Sequence, residues 1–371
     1  SESSEVQAIC TAYVMLRAPW NWTGQPEMAR DPDCGQEGAR TRVGAFVPSP
    51  CLVFSTRVAA KSPRARPRAR TVTAVMESPK LQPGCELTRP SKALLQGGPL
   101  TEGQIDDFFR TGVVVVPGLL QGDLLERAIE AKERIEQNAA PVGEYEGIAF
   151  RVWEKEPVFR ELAVDSPFSR AAAQLTPRPT VDDGVKPARQ LVVLRDAYFK
   201  LRGSGVGCNF HVDDPFFWPC LQGEPGPGVN IWVALDPVTE DGGGLAVAPG
   251  SHTIEFLDCR EAIRANTCMI HKLNPAASAK LEAIAQVPLM NPGDAIVHTR
   301  YLFHRAEPFK VGSAGAAGRG IARYSVRYMP SNALSANMRF ENGQVITENI
   351  VALRDADEAV FPTALWSSRE Q

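Results

Sequence analysis

Long apolar runs are missing from this chain of 371 residues. Its longest, such as Val113–Val116, fall far short of the roughly 20 residues a membrane helix needs, so no membrane-spanning helix is expected. An excess of one charge is missing too: 40 Lys and Arg stand against 43 Asp and Glu, a net of −3. Such a balance argues against a nucleic-acid binder, which carries a basic surplus. None of the 8 cysteines forms a Cys-x-x-Cys pair, which removes support for a zinc ribbon or a dithiol redox motif. Without a secretory signal, reduced thiols are expected, and Cys208 and Cys220 read as small core residues. What is present is ordinary for a globular protein: 44% hydrophobic and 22% charged residues. Wholesale disorder, a collagen-like repeat and a disulfide miniprotein are thereby excluded.

The near-neutral total conceals an asymmetry. Residues 1–97 hold 13 Lys and Arg against 8 Asp and Glu, and no acidic residue occurs between Gly38 and Met76. An Arg-rich, acid-poor leader is how an organelle transit peptide reads. Its Arg64–Arg70 segment alternates Arg with Pro or Ala, as an extended, solvated chain does. Residues 1–97 are therefore read as a disordered or weakly ordered basic leader with the composition of a plastid or mitochondrial transit peptide; without an address the protein would be cytoplasmic. The chain opens on Ser1, so its natural start is expected upstream. A basic tail with no address fits the same composition.

The globular part is expected over 98–371. Thr101 and Gln104 form a capping-box pair ahead of an apolar face made by Ile105, Phe108 and Phe109. Val113–Val116 reads as a strand, ended by Pro117-Gly118. Leu119 to Asn138 reads as one amphipathic helix. Beyond Pro141, short apolar runs alternate with Gly and Pro: Ile148–Trp153, Gln190–Leu201, Asn209–Asp213, Val229–Leu235, Leu245–Ala248, Ala285–Met290, Ala295–His298 and Ile321–Tyr328. Helices are expected over Val158–Leu175, Asp258–Ala265 and Ser278–Ile284. Many short strands at this spacing suggest a sandwich or a double-sheet barrel.

Histidine is scarce, and that sharpens the search for a metal site: only His211, His252, His271, His298 and His304 occur. In His211-Val212-Asp213 an imidazole and a carboxylate two residues apart on a strand project from one face. That donor pair suits a first-row divalent metal and lacks one ligand. Pro292-Gly293-Asp294 starts an apolar stretch that runs toward His304, which could supply it; His298, six residues earlier, is the rival. Two imidazoles and one carboxylate form the facial triad of non-haem iron(II) oxygenases, whose open positions admit cosubstrate and O2.

Beyond these spacings, the chain resembles the phytanoyl-CoA dioxygenase (PhyH-like) family. The likeness opens with Gly103-Gln104-Ile105-Asp106 through Phe109 and Gly112 through Leu120. It continues in Asn209 through Pro219, Val229 through Asp236, Asp241-Gly242-Gly243-Gly244-Leu245 and Pro249-Gly250-Ser251-His252. Pro292-Gly293-Asp294 then leads to His304, and Tyr324 through Tyr328 closes the series. Order and spacing agree over roughly 98–330; the leader and the last forty or so residues are not covered.

The resemblance implies a mainly β fold with flanking helices, built on a double-stranded β-helix (jelly-roll or cupin-like) core. It implies iron(II), 2-oxoglutarate and O2 as cofactor and cosubstrates, with ascorbate supportive, and hydroxylation of a small or lipid-like organic substrate with release of succinate and CO2. His211, Asp213 and His304 match the family's metal ligands, and the spacing from the Gly-Asp turn favours His304 over His298. His252 matches a turn after a core strand and is expected to be structural. The far carboxylate of 2-oxoglutarate calls for Arg, whose planar fork pairs both oxygens. In the family that Arg lies on the strand after the distal His, where Arg319, Arg323 and Arg327 compete. Its position before the Ser-x-Arg-Tyr segment favours Arg323, with Arg319 the alternative and Arg327 left to a structural ion pair. Trp232 matches a family position beside the cosubstrate. Arg305-Ala306-Glu307-Pro308 departs from the small polar residues that follow the distal His in many relatives, and the Gly/Ala-rich 312–320 stretch lengthens the gap to Arg323. Asp213 favours hydroxylation, because halogenating relatives have a small residue there. Phe210, Phe216, Phe217, Trp218 and Trp153 could line an apolar pocket or belong to the core. Two other readings are compatible with these residues: a binding or regulatory protein that has lost turnover, and a zinc hydrolase using the same triad.

Overall fold

The structure is a computed structural model that describes residues 87–137, 140–142, 145–179, 190–202, 209–213, 217–220, 226–262, 270–318, 320–335, 338–339, 345–347 and 351–365. The basic leader, with its targeting reading, lies almost wholly outside the described residues, as do Arg319, Phe216, Cys208 and Cys268. Among the described residues, no helix is long and apolar enough to cross a membrane.

The chain begins with helix α1 (Glu102–Thr111), whose Thr101–Gln104 capping box forms as the sequence predicts. Strand β1 (Val113–Val116) follows directly. Helix α2 occupies Gly122–Glu136, shorter at both ends than the expected run. Strands β2 (Ala140–Val142) and β3 (Tyr145–Phe150) come next. The expected helix over Val158–Leu175 is two helices, α3 (Pro157–Val164) and α4 (Pro167–Leu175). Pro167 has no N–H with which to continue α3, and Ser166 caps the new helix by accepting from Phe168 N. The remaining principal strands are β4 (Leu191–Leu201), β5 (Val229–Ala234), β6 (Leu245–Val247), β7 (Ala295–Thr299), β8 (His304–Ala306) and β9 (Ile321–Pro330).

Seven strands make one antiparallel sheet in the order β1-β7-β5-β9-β4-β3-β2. A second, smaller sheet pairs β6 with β8. Two expected strands, Asn209–Asp213 and Ala285–Met290, are reduced to bridges that extend this small sheet: His211 pairs with His304 on one side and Gln286 with Val247 on the other. Two facing sheets with crossed connections constitute the jelly-roll core expected from the sequence.

Alternation along the strands decides what each face of the large sheet meets. In β9, Ala322, Tyr324, Val326 and Tyr328 join Phe108, Phe159, Leu162, Phe168 and Ala172 in one buried layer beneath the helices. The helices are tied down by the tyrosines: Tyr328 OH donates to Ala163 O at 2.8 Å, and the Tyr324 ring lies 4.6 Å from that of Phe159. The opposite face of the sheet meets the small sheet, where Trp232, Ala234 and Ile296 pack with Leu245, Val247 and Ala306. The Pro292-Gly293-Asp294 turn that launches β7 is anchored to the end of β1. Asp294 accepts from Gly118 N and Asn291 N, both at 2.7 Å. Gly293 has φ 92, and a Cβ there would stand 2.1 Å from Leu120 O, so only glycine fits.

One buried carboxyl sits in the helix-facing layer. Asp196 accepts from Trp153 N at 3.0 Å and from Tyr324 OH at 3.1 Å, which secures the turn after β3. Burial pushes its carboxyl up to about 7, against the pull of the Trp153 amide, the Tyr324 hydroxyl and the Arg195 charge. Between the ordinary carboxyl value of about 4 and that raised value, the folded protein holds a proton that the unfolded chain releases. Stability from this group therefore falls as pH rises from about 4 to 7, by about 1.4 kcal/mol per unit at most, and is flat above. Asp196→Asn is expected to flatten that slope and to be the more stable protein at pH 8. Urea denaturation across this range checks it; parallel slopes for the two proteins would assign the dependence to other groups.

Candidate metal centre

His211, Asp213 and His304 are far apart in sequence and adjacent in space. One ligand atom from each lies within 4.8 Å of the others. The backbones of His211 and His304 exchange two hydrogen bonds of 3.0 Å, which sets their rings side by side with centroids 4.5 Å apart. Asp213 follows two residues on, beyond the bridge, with Oδ1 at 3.4 Å from His304 Nε2 and 3.9 Å from His211 Nε2.

The hydrogen bonds fix the tautomers. His211 Nδ1 lies 2.8 Å from Asn209 O, and His304 Nδ1 lies 3.0 Å from Leu302 O. A carbonyl can only accept, so each Nδ1 carries the proton and each Nε2 keeps a lone pair directed toward Asp213. Burial, followed by the neighbouring His304, lowers His211 to about 4, so the ring is neutral near pH 7. Asp213 is buried, which raises its pKa; the Arg327 charge, followed by the adjacent His304, outweighs that and holds the carboxyl well below its usual range. Two imidazole nitrogens and one carboxylate oxygen converging in a dry setting form a donor set suited to a first-row divalent cation.

The rival histidine is otherwise engaged. His298 Nδ1 lies 2.9 Å from Thr299 O, so it carries the proton, and Nε2 accepts from Asn230 Nδ2 at 2.8 Å. Both ring nitrogens are thus used, although the ring stands only 4.9 Å from His304. Burial is the main reason its pKa falls to about 3. His252 lies in the turn after β6, against Gly112, where an added Cβ would be 2.6 Å from its Nδ1. It is outside the His211–Asp213–His304 group, in keeping with a structural role.

Cross-strand register sorts the inward side chains into rows. At the metal end, Arg195, Arg327, Asn230 and His298 are successive partners across β4, β9, β5 and β7. The next row holds Ala197, Ser325, Trp232 and Ile296. At the far end, Phe199, Arg323 and Ala234 are partners. Arg323 is 2% exposed and donates to Gly243 O at 3.3 Å. Its guanidinium sits 5.6 Å from the Trp232 ring and 5.7 Å from the Phe199 ring. The carbonyl comes within reach because Gly243 has φ 81 and no Cβ; a Cβ there would meet Phe309 Cζ at 2.5 Å.

Arg327 makes the ion pair expected of it, and the partner is Asp213 itself: Nε and Nη2 donate to Oδ2 at 3.0 and 2.6 Å. Of the aromatic residues considered for a pocket, Phe217 reaches this site, with its ring 4.6 Å from the Arg327 guanidinium and 5.9 Å from the Phe150 ring. Phe210, Trp218 and Trp153 are buried in three separate core clusters. Cys220 is a buried free thiol, as expected, and Cys259 is another. Asn230, which clamps His298, was not foreseen. The available signal was a polar side chain at an inward position of the otherwise apolar Val229–Ala234 run.

Comparison with known proteins gives a consistent picture. A family model for phytanoyl-CoA dioxygenase (PhyH) matches residues 108–312. Among solved structures, EctD from S. alaskensis with 2-oxoglutarate and 5-hydroxyectoine is similar at 16% identity, with 74% of this chain and 93% of that chain covered and a TM-score of 0.52. The apo form of EctD gives the same identity and coverage with a TM-score of 0.51. SnoK, a non-haem α-ketoglutarate-dependent carbocyclase from nogalamycin biosynthesis, is 19% identical, with 64% and 87% covered and a TM-score of 0.47. At such identities the EctD likenesses speak to the fold. A search of curated proteins finds no match.

Proposed function

The chain belongs to the phytanoyl-CoA dioxygenase (PhyH) family, and from that premise we propose that it is an iron(II)- and 2-oxoglutarate-dependent oxygenase that hydroxylates a small or lipid-like organic substrate. The observation that carries this reading is the trio His211, Asp213 and His304, with both Nε2 lone pairs freed toward one carboxylate oxygen. These three residues would hold the metal. Iron bound there with 2-oxoglutarate and O2 supplies oxidative decarboxylation, yielding succinate and CO2, and the oxidising power that hydroxylates a C–H bond.

The remaining work belongs to the protein. Arg323 binds the distal carboxylate, about 13 Å along β9 from Arg327 at ~3.3 Å per residue. A short dicarboxylate, met by a long side chain, spans from Asp213 toward Arg323. Ser325 and Trp232 lie in the row between and form its wall. Trp232 and Phe199 exclude water from the guanidinium, which strengthens its pairing with a carboxylate. Asp213 would hold a coordination position with protein oxygen, which favours hydroxylation over transfer of a bound halide.

The test is direct. Purified protein with iron(II), ascorbate and 2-oxoglutarate is expected to release succinate in an O2-dependent way, slowly even without its own substrate. Under anaerobic conditions the same mixture is expected to develop a weak visible charge-transfer band. Neither signal would leave a binding or regulatory protein that has lost turnover. Hydrolysis with zinc, indifferent to O2 and 2-oxoglutarate, would make it a hydrolase.

A further inference from the structure

Asp213 lies beyond the His211 bridge, where no strand pairing fixes its backbone. What holds its carboxylate is Arg327. Nε and Nη2 both donate to one oxygen, Oδ2, at 3.0 and 2.6 Å, while Oδ1 faces the two imidazoles. The guanidinium is itself fixed on its other sides. Nη1 donates to Ser325 Oγ at 3.2 Å, the Phe217 ring lies 4.6 Å from Cζ, and the Trp218 ring is at 6.0 Å. Both members of the pair are buried, with side-chain exposures of 3% and 5%. Asp213, Phe217 and Trp218 all follow His211, so one side chain of β9 meets three residues there.

We propose that Arg327 is a positioning residue: it occupies Oδ2 of Asp213 and so presents the carboxylate to the metal as a one-oxygen ligand. This rests on the reading of the triad as an iron site. The fork matters as much as the charge. Two parallel donors to a single oxygen fix the carboxylate plane, which a lysine's single ammonium cannot do. A carboxylate freed of this partner could turn either oxygen, or both, toward the cation and take up the room that the cosubstrate needs. Its removal therefore weakens preorganisation, in the way that groups hydrogen-bonded to metal ligands are known to act.

The experiment is titration of the metal-free full chain with Co(II), read by its visible d–d absorption, in wild type, Arg327→Lys and Arg327→Ala. Both variants are expected to bind roughly 10- to 100-fold more weakly, with an altered band shape, and added guanidinium ion is expected to restore part of the affinity of Arg327→Ala. A structural role alone would lower the melting temperature without changing the cobalt spectrum or responding to guanidinium. A purely electrostatic role would leave Arg327→Lys at wild-type affinity and tighten binding in Arg327→Ala. Either pattern overturns the proposal. If Arg327→Ala does not fold, Arg327→Lys decides through its affinity and spectrum. Failure of the wild type to bind Co(II), or unchanged binding in His304→Ala, would instead overturn the triad reading on which the proposal stands.

Discussion

Asp213→Ala is expected to abolish 2-oxoglutarate-dependent succinate formation and, at the same time, to destabilise the fold. The two losses have different causes and can be separated. Activity goes because the metal loses its only anionic protein ligand within the trio. A loss of about 4 kcal/mol in binding or transition-state stabilisation is already a factor of about a thousand. Stability goes because Arg327, 3% exposed, is left as a buried guanidinium facing an apolar methyl. Breaking a buried pair by removing one partner costs about 3–5 kcal/mol. The double variant Asp213→Ala/Arg327→Met removes that stranded charge and is expected to regain most of the stability while still failing to bind metal. Urea denaturation measures the first effect and Co(II) titration the second. Tight metal binding by Asp213→Ala would remove the carboxylate from the coordination set.

The two histidines and Asp213 were legible in the sequence because their spacing is a local and topological property. His-x-Asp reads within three residues, and a Gly-Asp turn before an apolar run announces a return to the barrel. The choice between His298 and His304 was legible only through family resemblance. In space it turns on which ring nitrogens are already used, and that depends on Asn230, 68 residues from His298. The strand expected over Asn209–Asp213 shrinks to a bridge because its regular pairing stops at His211, and Asp213 is held by a side chain instead. Periodicity marks what faces the core, and it cannot report a tether from 114 residues away. The same limit applies at Pro167. The apolar period of Val158–Leu175 continues through it, so the pattern reads as one helix, while the missing N–H divides it into two. The sandwich itself was readable because Ala322, Tyr324, Val326 and Tyr328 alternate strictly with Ile321, Arg323, Ser325 and Arg327, and the second set carries charge. A buried strand with arginines on one face has to enclose something polar or anionic.

That last point leads to the second large effect. Arg323→Ala is expected to raise the KM for 2-oxoglutarate by about 10²- to 10³-fold, as the 2–5 kcal/mol typical of truncating a buried, hydrogen-bonded charge pair predicts. The kcat at saturating 2-oxoglutarate should fall much less, because Arg323 is two rows along the sheet from Arg327, the partner of Asp213, and would meet the end of the cosubstrate that does not react. Arg323→Lys is expected to recover only part of the loss: the ammonium keeps the charge but lacks the planar fork, and it gives up the stacking on Trp232 and Phe199. Trp232→Ala should raise the KM more modestly, since it removes a wall and not a charge. The anaerobic charge-transfer band supplies an independent reading, needing more 2-oxoglutarate to appear in Arg323→Ala than in wild type. Arg319 is the internal control. Its substitution by alanine should leave the KM unchanged; a reversal of the two results would move the carboxylate clamp to Arg319. The position of Arg323 argues against that reversal. Its guanidinium is already held between two aromatic rings and the carbonyl of Gly243 before any ligand arrives. A side chain so preorganised gives up little further freedom when it meets a carboxylate.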